Sequence, residues 1–212
     1  MNNKPFIIGV DEVGYGCLAG PLVVVGVRAP TDWALQGLND SKKLSAKKRE
    51  AMLLPLMKLV QEKKISYHLA ERSSQEIDAL GVAVALKAAY VEVFHALYQQ
   101  DSFIITDGIL KFDNLGVDDY DKVSVIKADA KYPAVMAASI IAKTYRDDKM
   151  HTLHHTYPNY NWLSNVGYGS KDHLQAIEKY GPCPLHRFSY APMKNMANQI
   201  SLQGVYEPSN KS

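Results

Sequence analysis

The sequence predicts an α/β domain built on a mixed sheet, and three observations predict it. Short β-branched runs bounded by turn residues open the chain at 6–10 and 22–27. After them, strand-like and helix-like patterns alternate to about residue 150. No internal repeat, low-complexity tract or linker divides the 212 residues, a length that suits one domain with a sizeable core.

Phe6-Ile7-Ile8-Gly9-Val10 is a continuous apolar run that stops at Asp11-Glu12, as a strand buried on both faces would. Gly14, Gly16 and Gly20-Pro21 make a loop, and Leu22 to Val27 is a second β-branched run that pairs with the first. Ser45 stands where a helix N-cap belongs. Apolar positions continue from Ala46 to Val60, with Pro55 arguing for a kink or an early break. Residues 65–70 read as a third strand. Ser74 caps a short helix carrying Glu76-Ile77-Asp78, and 82–99 is a long amphipathic helix with Val82, Leu86, Ala89, Val93 and Leu97 on one face. Phe103 to Thr106 and Val123 to Ile126 are the fourth and fifth strands. Pro133 starts a helix of small residues that runs to Met150. From Tyr157 onward the chain reads as loops and short helices laid over the domain, with a polar tail after Leu202.

The composition, 47% hydrophobic and 22% charged, is that of an ordinary globular protein. No apolar run reaches the ~20 residues of a membrane span, and the N-terminus lacks the pattern of a signal peptide. Cys17 and Cys183 have no zinc-ligand spacing and read as reduced thiols. A cytoplasmic monomer is the expectation. The net charge of +2 argues against a uniformly basic nucleic-acid binder, so local clusters matter more than the sum. Basic residues gather at Lys42, Lys43, Lys47, Lys48 and Arg49, at Lys127 and Lys131, and at Lys171 and Arg187. Any one of these taken alone reads as a solvated face.

The chemical signal is topological. Three strand patterns end in acid: Asp11-Glu12, Asp107 and, shortly after the fifth strand, Asp129. Strand ends on one edge of an open α/β sheet converge in space though distant in sequence. Four carboxylates so gathered repel, raise one another's pKa and call for cations. Hard oxygen donors select Mg²⁺ or Mn²⁺ over zinc, and two such ions ~4 Å apart suit in-line phosphodiester hydrolysis. Singly, each acid reads equally as a turn residue or a helix cap.

Ordered motifs then identify a family resemblance. They are Gly9-Val10-Asp11-Glu12-Val13-Gly14, Leu18-Ala19-Gly20-Pro21, Leu38-Asn39-Asp40-Ser41-Lys42-Lys43-Leu44-Ser45 and Glu76-Ile77-Asp78. Further along come Asp107-Gly108, Lys127-Ala128-Asp129-Ala130, Ala137 to Lys143, Arg146-Asp147, Gly167-Tyr168-Gly169 and His186-Arg187. From Ile8 to about Met193 the chain resembles bacterial ribonuclease HII, the type 2 ribonuclease H family.

The resemblance implies a ribonuclease H-like fold, with a mixed five-stranded sheet, flanking helices and a C-terminal helical extension from about residue 157. It implies that Asp11, Glu12, Asp107 and Asp129 are the catalytic, metal-binding acids, holding Mg²⁺ or Mn²⁺. The implied substrates are RNA–DNA hybrids and ribonucleotides embedded in duplex DNA, cut on the 5′ side of a ribonucleotide to leave 3′-hydroxyl and 5′-phosphate ends. Gly14, Tyr15, Gly16 and Tyr168 match the residues that surround the ribose, whose 2′-hydroxyl separates RNA from DNA. Ser41, Lys42 and Lys43 match contacts to backbone phosphate. Lys143 and Arg146 read equally as phosphate contacts, as supports of the acidic site or as a helix salt bridge.

Several positions depart from the family pattern. Tyr15 stands where Arg is usual and Cys17 where Pro is usual. A relaxed preference for single embedded ribonucleotides over continuous hybrids is therefore expected. Gly81 replaces a usual Asn, and Ser164-Asn165-Val166 replaces a His-Lys pair before Gly-Tyr-Gly. No further domain is expected before the first strand, which argues against the related type 3 enzymes. Gln199-Ile200-Ser201-Leu202 is too poor a match to support sliding-clamp binding. The competing readings are a binder of hybrids that does not cut, and a junction-resolving nuclease on the same fold.

Overall fold

A five-stranded mixed sheet in the order β3-β2-β1-β4-β5 carries the protein. The computed structural model describes residues 4–38, 44–113 and 115–195. Ser41, Lys42 and Lys43 lie outside the described residues, as do 199–202 and the tail. Strands β1 (Phe6–Val13), β2 (Leu22–Pro30) and β3 (Ser66–Arg72) form an antiparallel meander. Strands β4 (Ser102–Asp107) and β5 (Lys122–Val125) add in parallel on the other side of β1.

Helices cover both faces. On one side lie α2 (Ser74–Leu80) and α3 (Val82–Leu97), where Ala89, Tyr90, Val93 and Phe94 pack on Ile8, Val10, Val24 and Ile104. On the other lie α1 (Ala46–Gln61) and α4 (Pro133–Thr156), where Ala134, Ala137, Ala138 and Ile141 pack on Val23, Val25 and Val27. The small residues of α4 permit an unusually close approach. A Cβ on Gly9 would stand 2.2 Å from the Val135 backbone nitrogen, so β1 must carry glycine there.

The C-terminal extension contains α5 (Trp162–Asn165) and α6 (Lys171–Tyr180). Its cluster of Tyr160, Trp162, Ile177 and Cys183 closes on Leu18, Ala19 and Met150. The loop after β1 is thereby sandwiched between the sheet domain and the extension. Among the described residues no helix is long and apolar enough to cross a membrane.

Four details differ from the sequence reading. β1 does not stop at the acids but runs to Val13, because β2 continues its ladder with Asp11 opposite Val25 and Glu12 opposite Val24. Helix α1 does not break at Pro55; the missing N–H forfeits one helical bond while Leu56 stays fully buried on the apolar face. Ser73, not Ser74, caps α2, through a capping box in which Ser73 and Glu76 satisfy each other's backbone N–H groups. Asp129 is on no strand end; it sits in a 3-10 turn, 128–130, entered through Lys127 at φ 58°.

Candidate active site

Strand alternation decides where the first two acids go. Adjacent residues on β1 face opposite sides of the sheet. Asp11 turns toward α4, where Ser139 gives it a hydrogen bond. Glu12 turns toward α3, where the fully buried Tyr90 donates its hydroxyl to Glu12 Oε2. The β1–β4 ladder ends with Val10 opposite Thr106, so Asp11 and Asp107 emerge side by side just beyond it. Ile105 packs with Val135 on the α4 side, so Asp107, two residues on, shares that side with Asp11. Asp107 Oδ1 accepts the Ala128 N–H at 2.7 Å, which ties β4 to the turn holding Asp129. Asp129 is 2% exposed and does not line the cleft described next.

Asp11, Glu12 and Asp107 line one cleft of about 520 Å³. Burial, then the charges of Glu12 and Asp107, push the Asp11 carboxyl up to about 7, against the Ser139 hydrogen bond that favours its anion. A donor set this electron-rich is chemically suited to a hard divalent cation. As placed, no group of three acids among the described residues could hold an ion. Asp11 and Glu12 leave on opposite faces, and Tyr90 and Ala128 engage Glu12 and Asp107.

The rest of the cleft wall is basic, aromatic and glycine-rich: Gly14, Tyr15, Gly16, Arg49, Lys143 and Tyr168. Asp147 holds Lys143 at 2.7 Å and Arg49 at 3.2 Å, which sets two cations at the rim. Lys143 thus does make the helix salt bridge while also lining the cleft. Arg146 does neither: it is fully buried and donates to the carbonyls of Pro21, Val166 and Ala19.

Tyr15 and Tyr168 are both substantially exposed, at 46% and 41%. The Tyr168 hydroxyl faces the Cys17 sulfur as a donor; burial, then the charge of a Cys17 thiolate, pushes that phenol up to about 12. Asn165 builds the turn that presents Tyr168, accepting the Gly167 N–H at 2.8 Å and donating to the Tyr160 carbonyl at 2.8 Å.

Sequence reasoning missed Tyr90, Ser139, Arg49 and Asp147 as members of this site. Tyr90 looks like one more apolar-face residue of α3, and Ser139 like one more small residue of α4. Only the strand parity that aims Glu12 and Asp11 at them gives them a role.

Comparison with known proteins places the chain in a family. The family model for ribonuclease HII matches residues 8–193. The ribonuclease HII of Oceanobacillus iheyensis is 40% identical over 192 residues, 91% of this chain and 70% of that protein. That of Enterococcus faecalis is 42% identical over 191 residues, 90% of this chain and 71% of that protein. Among solved structures, the ribonuclease HII of Archaeoglobus fulgidus, determined in complex with PCNA, superposes with a TM-score of 0.71 at 26% identity. The match covers 88% of this chain and 95% of that one. The ribonuclease H2 of Pyrococcus horikoshii superposes with a TM-score of 0.75 at 24% identity, over 92% and 99% of the two chains, a likeness of fold. The chain belongs to the ribonuclease HII family.

Proposed function

We propose that the protein is an endoribonuclease that hydrolyses the RNA strand of RNA–DNA hybrids and cuts at ribonucleotides embedded in duplex DNA. On this reading it cuts 5′ to the ribonucleotide and leaves 3′-hydroxyl and 5′-phosphate ends. The observation that carries the reading is the convergence of Asp11, Glu12 and Asp107 on one cleft whose rim bears Arg49, Lys143, Tyr15 and Tyr168. Family membership supports the same chemistry.

Asp11, Glu12, Asp107 and Asp129 are the acids we assign to catalysis and to holding Mg²⁺ or Mn²⁺. When bound, such ions activate water and stabilise the leaving oxygen of a phosphodiester. The chain's own residues do the rest. Tyr90 and Ser139 orient Glu12 and Asp11. Arg49 and Lys143, fixed by Asp147, attract the phosphodiester backbone and supply affinity without sequence information. Tyr168 offers an aromatic face for a sugar, and Gly14 and Gly16 let the backbone approach it.

We take residues 1–212 as one catalytic domain, a monomer acting in the cytoplasm. The packing of the extension on Leu18 and Ala19 supports a single domain, and the two buried free thiols, Cys17 and Cys183, suit a reducing compartment.

The test is cleavage of a duplex bearing one ribonucleotide, with Mg²⁺ or Mn²⁺, and with product ends mapped. The expected product is a single cut 5′ to the ribonucleotide that Asp11→Asn abolishes. Duplex binding without any product in either metal would instead identify a non-cleaving hybrid binder. Tyr15→Arg, run beside the wild type on single-ribonucleotide and continuous-hybrid substrates, is expected to strengthen the preference for the former. A strong preference that this change leaves untouched removes Tyr15 from substrate choice.

A further inference from the structure

Two side chains of the C-terminal extension grip one peptide carbonyl of the loop after β1. The Tyr15 carbonyl accepts from Arg187 Nη1 at 2.9 Å and from the Tyr190 hydroxyl at 2.5 Å. The donors also meet each other, Arg187 Nη1 donating to Tyr190 Oη at 2.9 Å. The other guanidinium nitrogens bind the Gly20 carbonyl at 3.2 and 3.0 Å. Arg187 is fully buried, and its side-chain hydrogen bonds go to carbonyls and a phenol. A buried cation held by neutral groups is an expensive way to build a loop. Asp78 fixes the same turn from α2, accepting from the Phe188 and Ser189 N–H groups at 2.8 and 2.9 Å.

The consequence appears on the other side of the peptide plane. In a trans peptide the carbonyl and the following N–H point in opposite directions, and the described chain contains no cis bond. With the Tyr15 carbonyl drawn into the protein, the Gly16 N–H points outward. Gly16 is exposed and lines the cleft, and no described group accepts its N–H. Nothing in the free protein demands glycine there: a Cβ would meet no atom within 4 Å, and the backbone needs no left-handed φ. Open space beside an unpaired donor is the shape of a contact still to be made.

We infer that Arg187 and Tyr190 are positioning residues that hold back the Tyr15 carbonyl so that the Gly16 amide meets an acceptor oxygen of the bound strand, a ribose hydroxyl or a phosphate. The inference rests on the function proposed above.

The test compares wild type, Tyr190→Phe and Arg187→Lys. Tyr190→Phe removes one hydroxyl and keeps the ring; Arg187→Lys keeps the charge and loses the fork. In both, kcat/KM on a single-ribonucleotide duplex falls about tenfold. In both, the Gly16 amide resonance of the metal-free protein shifts and broadens. The melting midpoint of Tyr190→Phe moves by less than about 4 °C, which separates positioning from unfolding. Affinity for the all-DNA duplex of the same sequence identifies the acceptor: a parallel loss means phosphate, no loss means the ribose hydroxyl. Either readout unchanged in Tyr190→Phe, or an activity loss matched by a loss of folded protein, overturns the inference. If the wild type cuts neither this duplex nor a continuous hybrid, the proposed activity has failed, and the clamp is judged on the Gly16 resonance alone.

Discussion

Tyr90, buried on α3, donates its hydroxyl to the carboxylate of Glu12 on β1. Burial, then the charges of Glu12, Asp11 and Asp107, hold the phenol well above its ordinary pKa, so it is a permanent donor at any working pH. Tyr90→Phe keeps the ring and its packing but leaves Glu12 without that donor. A hydrogen bond to a charged group is worth about 1.5–3 kcal/mol, so stability in urea falls by about that amount. With Glu12 no longer oriented, kcat falls about tenfold and the Mg²⁺ concentration for half-maximal rate rises. An unchanged metal dependence would show that Tyr90 serves folding alone.

This pairing also marks the limit of what the sequence discloses. The five strands were legible because β-branched runs bounded by turns have few other uses, and Asp107 was legible as the last residue of such a run. Asp11-Glu12 read as a strand end, because a single run does not say how far its antiparallel partner extends. The split of the two acids onto opposite faces follows from strand parity, but which helix covers each face is a tertiary fact. Arg187 stood in a recognisable His-Arg pair, yet its carbonyl partners are more than 160 residues away, at Tyr15 and Gly20.

The two loop glycines answer to different demands. Gly14 has φ +90°, and a Cβ there would stand 2.4 Å from Arg146 Nε and 2.7 Å from the Pro21 carbonyl. Gly14→Ala therefore destabilises the fold by about 2–4 kcal/mol, through strain and displacement of a buried arginine. Gly16→Ala, with open space around it, leaves the melting midpoint within about 2 °C of wild type but cuts kcat/KM at least about tenfold. Thermal melts beside kinetics check both. A stable, fully active Gly16→Ala protein would mean that no substrate atom comes near that residue.

Asp11 couples the site to pH. Its folded pKa of about 7 lies above the ordinary carboxylate value near 4, because burial and then its acidic neighbours disfavour the anion. The folded metal-free protein therefore holds a proton that the unfolded chain has released between about pH 4 and 7. Stability falls as pH rises through that window, by about 1.4 kcal/mol per unit, and levels off above it. Asp11→Asn carries no such titration. Its stability advantage over wild type grows across the window to at most about 4 kcal/mol at pH 8. Chemical denaturation of both proteins in chelator, from pH 5 to 8, measures the difference; a constant gap would mean that Asp11 is not the titrating group.

A buried histidine chain behind Tyr168 gives the opposite sign. The His173 Nδ1 lies 2.8 Å from the Tyr168 carbonyl and must carry the hydrogen, since a carbonyl only accepts. His173 Nε2 is then bare, and its one lone pair is shared by the Trp162 Nε1–H at 3.1 Å and the His186 Nε2–H at 3.1 Å. His186 Nδ1 in turn accepts the Cys183 N–H at 2.9 Å. Both rings are neutral in this arrangement, and a further proton on His173 Nε2 would set N–H against N–H; on His186 Nδ1 it would face the Cys183 N–H, with the Cys183 carbonyl 3.2 Å away to accept it. Burial, then His173, accordingly holds His186 down to about 4, and burial lowers His173 as well. The unfolded chain takes up these protons near pH 6.5, so stability is intact above that value. It falls by about 1.4 kcal/mol per unit for His186 as pH drops from 6.5 toward 4, and the lowered His173 adds a loss in the same direction. His186→Gln keeps a donor toward His173 but does not titrate. It is less stable than wild type by about 1–2 kcal/mol at pH 8, with a pH slope shallower by about one proton between 6.5 and 4.5. Urea midpoints at half-unit intervals measure both slopes, and parallel slopes would exclude His186 as a neutral member of the support beneath Tyr168.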